Sequence, residues 1–143
     1  MNAPRSTDIH FLFDELWPEM ELAPAHRDRC LANLDRIANV FLEHPDDPDG
    51  VLQGLLEIED IGPVIASGLI FSANREHLVP FDKYTMGYAL ELRILPDFRI
   101  TTGNYGRFST SVVNYIAEHR EFDDIEGFVR AAGRLAQFPM GPE

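Results

Sequence analysis

An all-α protein is what this sequence predicts, and three observations predict it. Apolar residues recur at three- and four-residue intervals, and no run of strict alternation is long enough for a strand. Prolines and capping side chains punctuate the periodic segments where helices should start or stop. The expectation is a single compact helical domain over residues 1–143, with about six or seven helices. A chain of 143 residues, 45% hydrophobic and 10% aromatic, is long and apolar enough to fill one core.

The elements follow in order. Ser6 or Thr7 caps a first helix from Asp8 to about Trp17, which Pro18 ends. Pro24 suits the first turn of a second helix that reaches Leu42, with Cys30, Leu34, Ile37 and Phe41 as its buried stripe. His44 to Gly50, HPDDPDG, is a turn by composition; the alternating ligands of a calcium loop do not fit around its two prolines. A short helix from Val51 to Glu57 leads through IEDIGP (Ile58 to Pro63) into a helix from about Val64 to Ala73. After SANREHLVP, Asp82 opens a helix carrying Tyr84, Tyr88, Leu90 and Leu92, and Pro96 ends that region. Thr101 or Thr102 caps the next, where Tyr105, Phe108, Val112, Tyr115 and Ile116 line one face. The last helix starts near Asp123, buries Ile125, Phe128, Val129, Ala132 and Leu135, and leaves QFPMGPE as a frayed tail.

Charge and composition narrow the function classes. The net charge is −12, and it is uneven: residues 1–60 hold 14 acidic and 4 basic side chains, residues 61–143 hold 10 and 8. An acidic first half argues against strong, sequence-independent DNA binding, which rests on displacing counterions with a basic surface. A basic face, where one exists, draws on Arg75, Lys83, Arg93, Arg99 and Arg107. Cys30 is the only cysteine, so no intrachain disulfide forms, and a reducing, cytoplasmic setting with a buried thiol is expected. No stretch approaches the roughly 18 apolar residues of a membrane span, and the N-terminus lacks a signal-peptide layout. The five histidines show no metal-binding spacing, and no phosphate loop, dinucleotide fingerprint or nucleophile elbow occurs, so neither metal nor cofactor is expected.

One constellation stands out, a helical hairpin at about residues 51–73 with its continuation to Thr85, LLEIEDIGPVIASGLIFSANREHLVPFDKYT from Leu55. A glycine-bearing turn joins two helices, and Ala66, Ser67 and Gly68 are small enough for helices to approach closely. This stretch resembles the helix-hairpin-helix DNA glycosylase superfamily, best known from its endonuclease III-like branch. Aligned on Gly62, the family pattern falls on Ile58 to Val64, with Ala66 at a small position. Asp82 lies eighteen residues beyond Val64, at the spacing of the family's aspartate from its lysine position.

The resemblance implies a DNA-binding or DNA-processing protein in which backbone amides around Gly62 anchor one phosphate. Ile61, Gly62, Val64, Ala66 and Lys83 are then the DNA-contacting positions, and Asp82 the catalytic carboxylate. The departures limit the chemistry. Val64 stands at the lysine position, which excludes Schiff-base lyase activity there, so an enzyme of this kind would be a monofunctional glycosylase hydrolysing an N-glycosidic bond. One cysteine cannot hold an iron–sulfur cluster. Asp60 replaces the first hairpin glycine and would repel a bound phosphate, and fewer residues precede the hairpin than the family usually has.

A plainer account stands beside each of these residues. Asp82 is well placed as a helix cap, and the Gly62 requirement is that of the turn itself. From the acidic first half and Asp60 follows a rival expectation: an inactive interaction or regulatory module that keeps the fold and docks on a basic protein partner.

Overall fold

The computed structural model describes residues 1–80, 82–94 and 103–137, the side chains at 83 and 134–137 excepted. Its regular elements are all helices, with no strand among the described residues. The elements are α1 (Ser6–His10), a π-helical turn (Phe11–Leu16), α2 (Ala23–Ala32), α3 (Leu34–Glu43), α4 (Pro48–Leu56), α5 (Pro63–Ala73), α6 (Lys83–Glu91), α7 (Tyr105–His119) and α8 (Ile125–Gln137). No described helix is long and apolar enough to cross a membrane.

The helix α5 organises the rest. Its apolar and small residues continue round the whole circumference, and every residue from Ile65 to Ser72 is buried. A helix that is apolar on all sides needs neighbours on all sides. One apolar cluster joins Ile65, Ala66, Leu69 and Ile70 of α5 to Ile9, Leu12, Phe13, Cys30, Ile37, Phe41, Val51, Leu52 and Leu55 from the preceding helices. A second gathers Phe71 and Val79 with Ala89 of α6, Phe108 and Val112 of α7, and Ile125, Phe128 and Val129 of α8. The polar groups of α5 are satisfied locally. Ser67 Oγ donates to Val64 O at 3.0 Å and Ser72 Oγ to Leu69 O at 2.8 Å. Asn74 closes the helix by donating its side-chain amide to Ile70 O at 2.9 Å.

The first helix differs from its expectation. It begins at Ser6, with Arg5 as the cap residue, whose amide donates to Asp8 Oδ2 at 2.9 Å, so Ser6 and Thr7 lie inside the helix. The wider turn that follows, closed by Trp17 N donating to Leu12 O at 2.8 Å, buries three consecutive residues, Phe11, Leu12 and Phe13. Phe11 thereby joins the second cluster while Leu12 and Phe13 join the first. A regular α-helix, with about 100° between neighbours, does not bury three in a row against separate partners as readily.

The helix expected over Pro24 to Leu42 is two helices. Asn33 interrupts it at φ −106°, ψ 19°, and the Asn33 side-chain amide donates to Arg29 O at 2.9 Å. An asparagine that competes for a backbone carbonyl is a local reason for the break. The stripe survives: Cys30, Ile37 and Phe41 are buried and Leu34 half-buried. Burial pushes the Cys30 thiol up to about 11, as an inert core group.

Helix α4 begins three residues early, at Pro48, because Asp47 caps it by accepting from Gly50 N at 3.0 Å and proline fits its first turn. Helix α7 begins at Tyr105, with Asn104 as the cap residue; Thr101 and Thr102 lie outside the described residues, as do Pro96 and the tail from 138 onward. Helix α8 starts after Asp124, which accepts from Gly127 N at 2.8 Å. Ile125, Phe128, Val129 and Ala132 are buried as expected, while the Leu135 side chain is outside the described ones. Tyr105 is fully buried, donating its hydroxyl to Val79 O at 2.7 Å, and Val79 N donates to Ser109 Oγ at 3.1 Å. These two bonds strap the segment after α5, at Val79, to α7.

Gly68 of α5 serves a different neighbour from the one expected. A Cβ on Gly68 would lie 2.5 Å from the Trp17 ring and 3.1 Å from Leu12, so Gly68 admits the π-helical turn and its tryptophan, not α4. Close approach of α4 to α3 rests on Gly54, where a Cβ would come within 2.7 Å of Val40. Gly68→Ala should therefore cost about 1–3 kcal/mol through overpacking, read as a lower urea midpoint with an unchanged m-value; an unaltered midpoint would remove Trp17 from this contact.

Candidate functional site

The hairpin expected at about 51–73 is formed by α4, the turn at 57–62 and α5, with the two helices packed on each other. The turn is built from successive tight bonds, Glu57 N to Gly54 O at 3.2 Å, Ile58 N to Leu55 O at 3.1 Å and Ile61 N to Ile58 O at 3.2 Å. Its left-handed residue is Asp60, at φ 67°. Aspartate tolerates this region better than most side chains do.

Gly62 is not the residue that makes the turn. Its backbone is extended, φ −89° and ψ 179°, and a Cβ built on it meets nothing within 4 Å. The conformational reason for a glycine at 62 is therefore absent, and a side chain fits there without strain.

The other hairpin positions separate into core and surface. Ile61 is buried and its amide is spent inside the turn. Ala66 is fully buried, and its amide donates to Gly62 O at 2.9 Å as the first bond of α5. Val64 is half-buried in the first turn of α5. No side chain caps that turn, and Pro63 contributes no N–H, so the outward-pointing first-turn amides are those of Val64 and Ile65. Ile65 went unnoticed at the level of sequence, although counting amides after a proline at the first helical position would have found it.

Electrostatics around the turn are mixed. Glu57, Glu59 and Asp60 all precede the α5 N-terminus and are exposed. Asp60 Oδ2 lies 3.6 Å from Arg29 Nε of α2, an ion pair between two well-exposed groups. Such a pair contributes little to stability, but it matches one of the three negative charges at the turn.

Asp82 is the cap of α6. Its Oδ1 accepts from Tyr84 N at 2.9 Å, Thr85 N at 2.7 Å and Thr85 Oγ1 at 3.0 Å. Lys83 is the first residue of α6, its side chain outside the described ones. α6 packs on α8, whereas α4 is the helix on which the hairpin's α5 rests. A groove of about 580 Å³ is lined by residues of α7, the α7–α8 connection, the start of α8 and the turn after α5, and neither Asp82 nor Gly62 is among its described lining residues.

Three of the five arginine and lysine positions expected to form a basic face, Arg75, Arg93 and Arg107, have described side chains. Arg75 sits 3.6 Å from Asp8 and with its guanidinium 3.6 Å over the Phe11 ring, which engages its charge internally. Arg107 is exposed on α7, Arg93 is exposed at a left-handed φ of 62°, and Arg99 lies outside the described residues. Among the described residues no group of histidine, cysteine and carboxylate side chains is arranged to hold a metal ion. No family model, curated protein or solved structure matches the chain.

The cap assigned to Asp82 has a direct check. Asp82→Ala should cost about 1 kcal/mol of stability, with Asp82→Asn close to neutral, because asparagine accepts the same two amides. Equal stability of all three proteins in urea would mean that the cap contributes nothing.

Proposed function

We propose that this chain is a helix-hairpin-helix protein of the DNA glycosylase kind that contacts DNA through the N-terminus of α5. The observation that carries this reading is the uncapped first turn there, where the Val64 and Ile65 amides follow a tight turn and a proline. Such a turn combines free N–H donors with the positive end of the helix dipole, the combination that accepts a phosphate. Ile61 and Ala66 act as the apolar footing of the hairpin, and Lys83 adds charge one residue beyond Asp82. The chain works as a DNA-binding or DNA-processing accessory. Valine at position 64 leaves no amine for a Schiff base. Base release, as a monofunctional glycosylase, would run through Asp82, whose cap bonds fix its carboxylate in one orientation; undetectable release across lesion substrates, or release that survives Asp82→Asn, rules that activity out.

A second reading, an interaction module without DNA contact, is favoured by one observation. Glu57, Glu59 and Asp60 lie in the turn before the α5 amides, and among the described residues Asp60 is the one of the three with an ion-pair partner, Arg29. Like charge at that range opposes a phosphate and suits a basic protein.

Fluorescence anisotropy with duplexes, with and without an abasic-site analogue, separates the two readings. Binding should weaken as salt rises. Gly62→Glu, which the open space around Gly62 accommodates, should weaken it at least about tenfold, a loss of about 1.4 kcal/mol, with an unchanged melting temperature. No binding at low salt, or binding indifferent to Gly62→Glu, would overturn the DNA reading and leave the interaction module.

A further inference from the structure

Helix α7 carries two apolar stripes. One, Tyr105, Phe108 and Val112, is buried in the interior of the protein. The other, Val113, Ile116 and Ala117, ends on Arg120 and follows the same three- and four-residue spacing; Val113 and Ile116 are half-buried with one side against the second cluster, Ala117 is exposed, and together they floor the 580 Å³ groove. Half-buried Phe122 and the edge of the buried Ile125 complete the apolar lining. Phe122 is held edge-on to Tyr88 and to Phe128, with ring centroids 6.1 and 5.6 Å away, so this wall is set in advance of any occupant.

The rim is electrostatically biased. Of its two arginines, Arg75 is already engaged by Asp8, by the Phe11 ring and by Ser72 O, to which its Nε donates at 3.0 Å. That leaves Glu76, Asp123 and Asp124 against Arg120 among the described lining residues. Asp124 caps α8 through one carboxylate oxygen, which accepts from Gly127 N.

We infer that this groove docks a basic amphipathic helix of a protein partner. The floor presents an i, i+3, i+4 ridge beside a trough, the surface into which another helix packs its own ridge. The three carboxylates select lysine and arginine on the flanks of the occupant, on a chain whose net charge is −12. The surface lies apart from the α5 N-terminus, so its function does not depend on DNA contact at the hairpin.

The probe is a fluorescein-labelled synthetic helix of about sixteen residues, leucine at i, i+3, i+4 and i+7 and lysine elsewhere, titrated with the full chain. An isomer with glutamate in place of lysine is the control. The lysine peptide should bind, shift the amide resonances of Val113, Ile116, Ala117 and Phe122, and weaken with salt, while the glutamate peptide should not bind. Ala117→Arg projects from an exposed position into the trough, and Glu76→Lys with Asp123→Lys reverses the rim. Each should reduce affinity at least about tenfold with the melting temperature and any duplex binding unchanged.

Equal binding of both peptides, binding that survives these variants, or absence of shifts at these residues up to about millimolar peptide would overturn the proposal. Concentration-dependent self-association abolished by Ala117→Arg would also overturn it and give the groove to a second copy of the chain.

Discussion

The burial of α5 on every side is the constraint on which the other elements depend. A stretch from Ile65 to Ser72 with no exposed face cannot belong to a surface helix, so the chain must wrap it. The N-terminal helices supply one wall and α6 to α8 the other, with Phe11 reaching across from the π-helical turn to the second cluster. The two ends of α5 are treated differently. Its C-terminal carbonyls are met by Asn74, which is itself bonded to Asn2, with Asn2 N donating to Asn74 Oδ1 at 2.7 Å. At the N-terminus no side chain caps the turn and proline removes one donor. A helix closed at one end and open at the other is the physical content of the proposed phosphate anchor.

Asp60 and Gly62 exchange the roles that sequence assigns them. A glycine in a tight turn signals a left-handed backbone, and an aspartate two residues earlier signals trouble for a phosphate. In the folded chain Asp60 takes the left-handed position and pairs with Arg29, while Gly62 is extended and unconfined. The pairing partner comes from α2, more than thirty residues away along the chain, so no local pattern around the turn announces it.

Much of the helical layout was legible because its signals are local. Asp82 reads as a cap from its place before an apolar run, and it caps α6 with three hydrogen bonds. The stripes on α3, α7 and α8 read from their periodicity, and Ile37, Phe41, Tyr105, Phe108, Val112, Ile125, Phe128, Val129 and Ala132 are buried, whereas Leu34, Tyr115 and Ile116 are half-buried. The failures are of two kinds. Asn33 splits one periodic run because its side chain takes a carbonyl four residues back, which leaves the periodicity itself unbroken. Periodicity places Ile116 on the buried face of α7, and the groove it floors with Val113 and Ala117 escaped, because apolar spacing shows that a face is apolar, not whether anything covers it. The same blindness hid the partner of Gly68: a small residue marks close approach, and only the fold shows that Trp17 makes it.

Native-state hydrogen exchange, read residue by residue along α5, tests the account most directly. Amides from Leu69 to Phe71, between the two clusters, should exchange only with global unfolding, and those of Val64 and Ile65 should exchange fastest in the helix because nothing caps them. Release of the Leu69 to Phe71 amides in a smaller opening, with one cluster intact, would contradict the role of α5 as the wall common to both. Slow exchange at Val64 and Ile65 in the free protein would mean that their N–H groups are already bound, and the phosphate anchor would lose its donors.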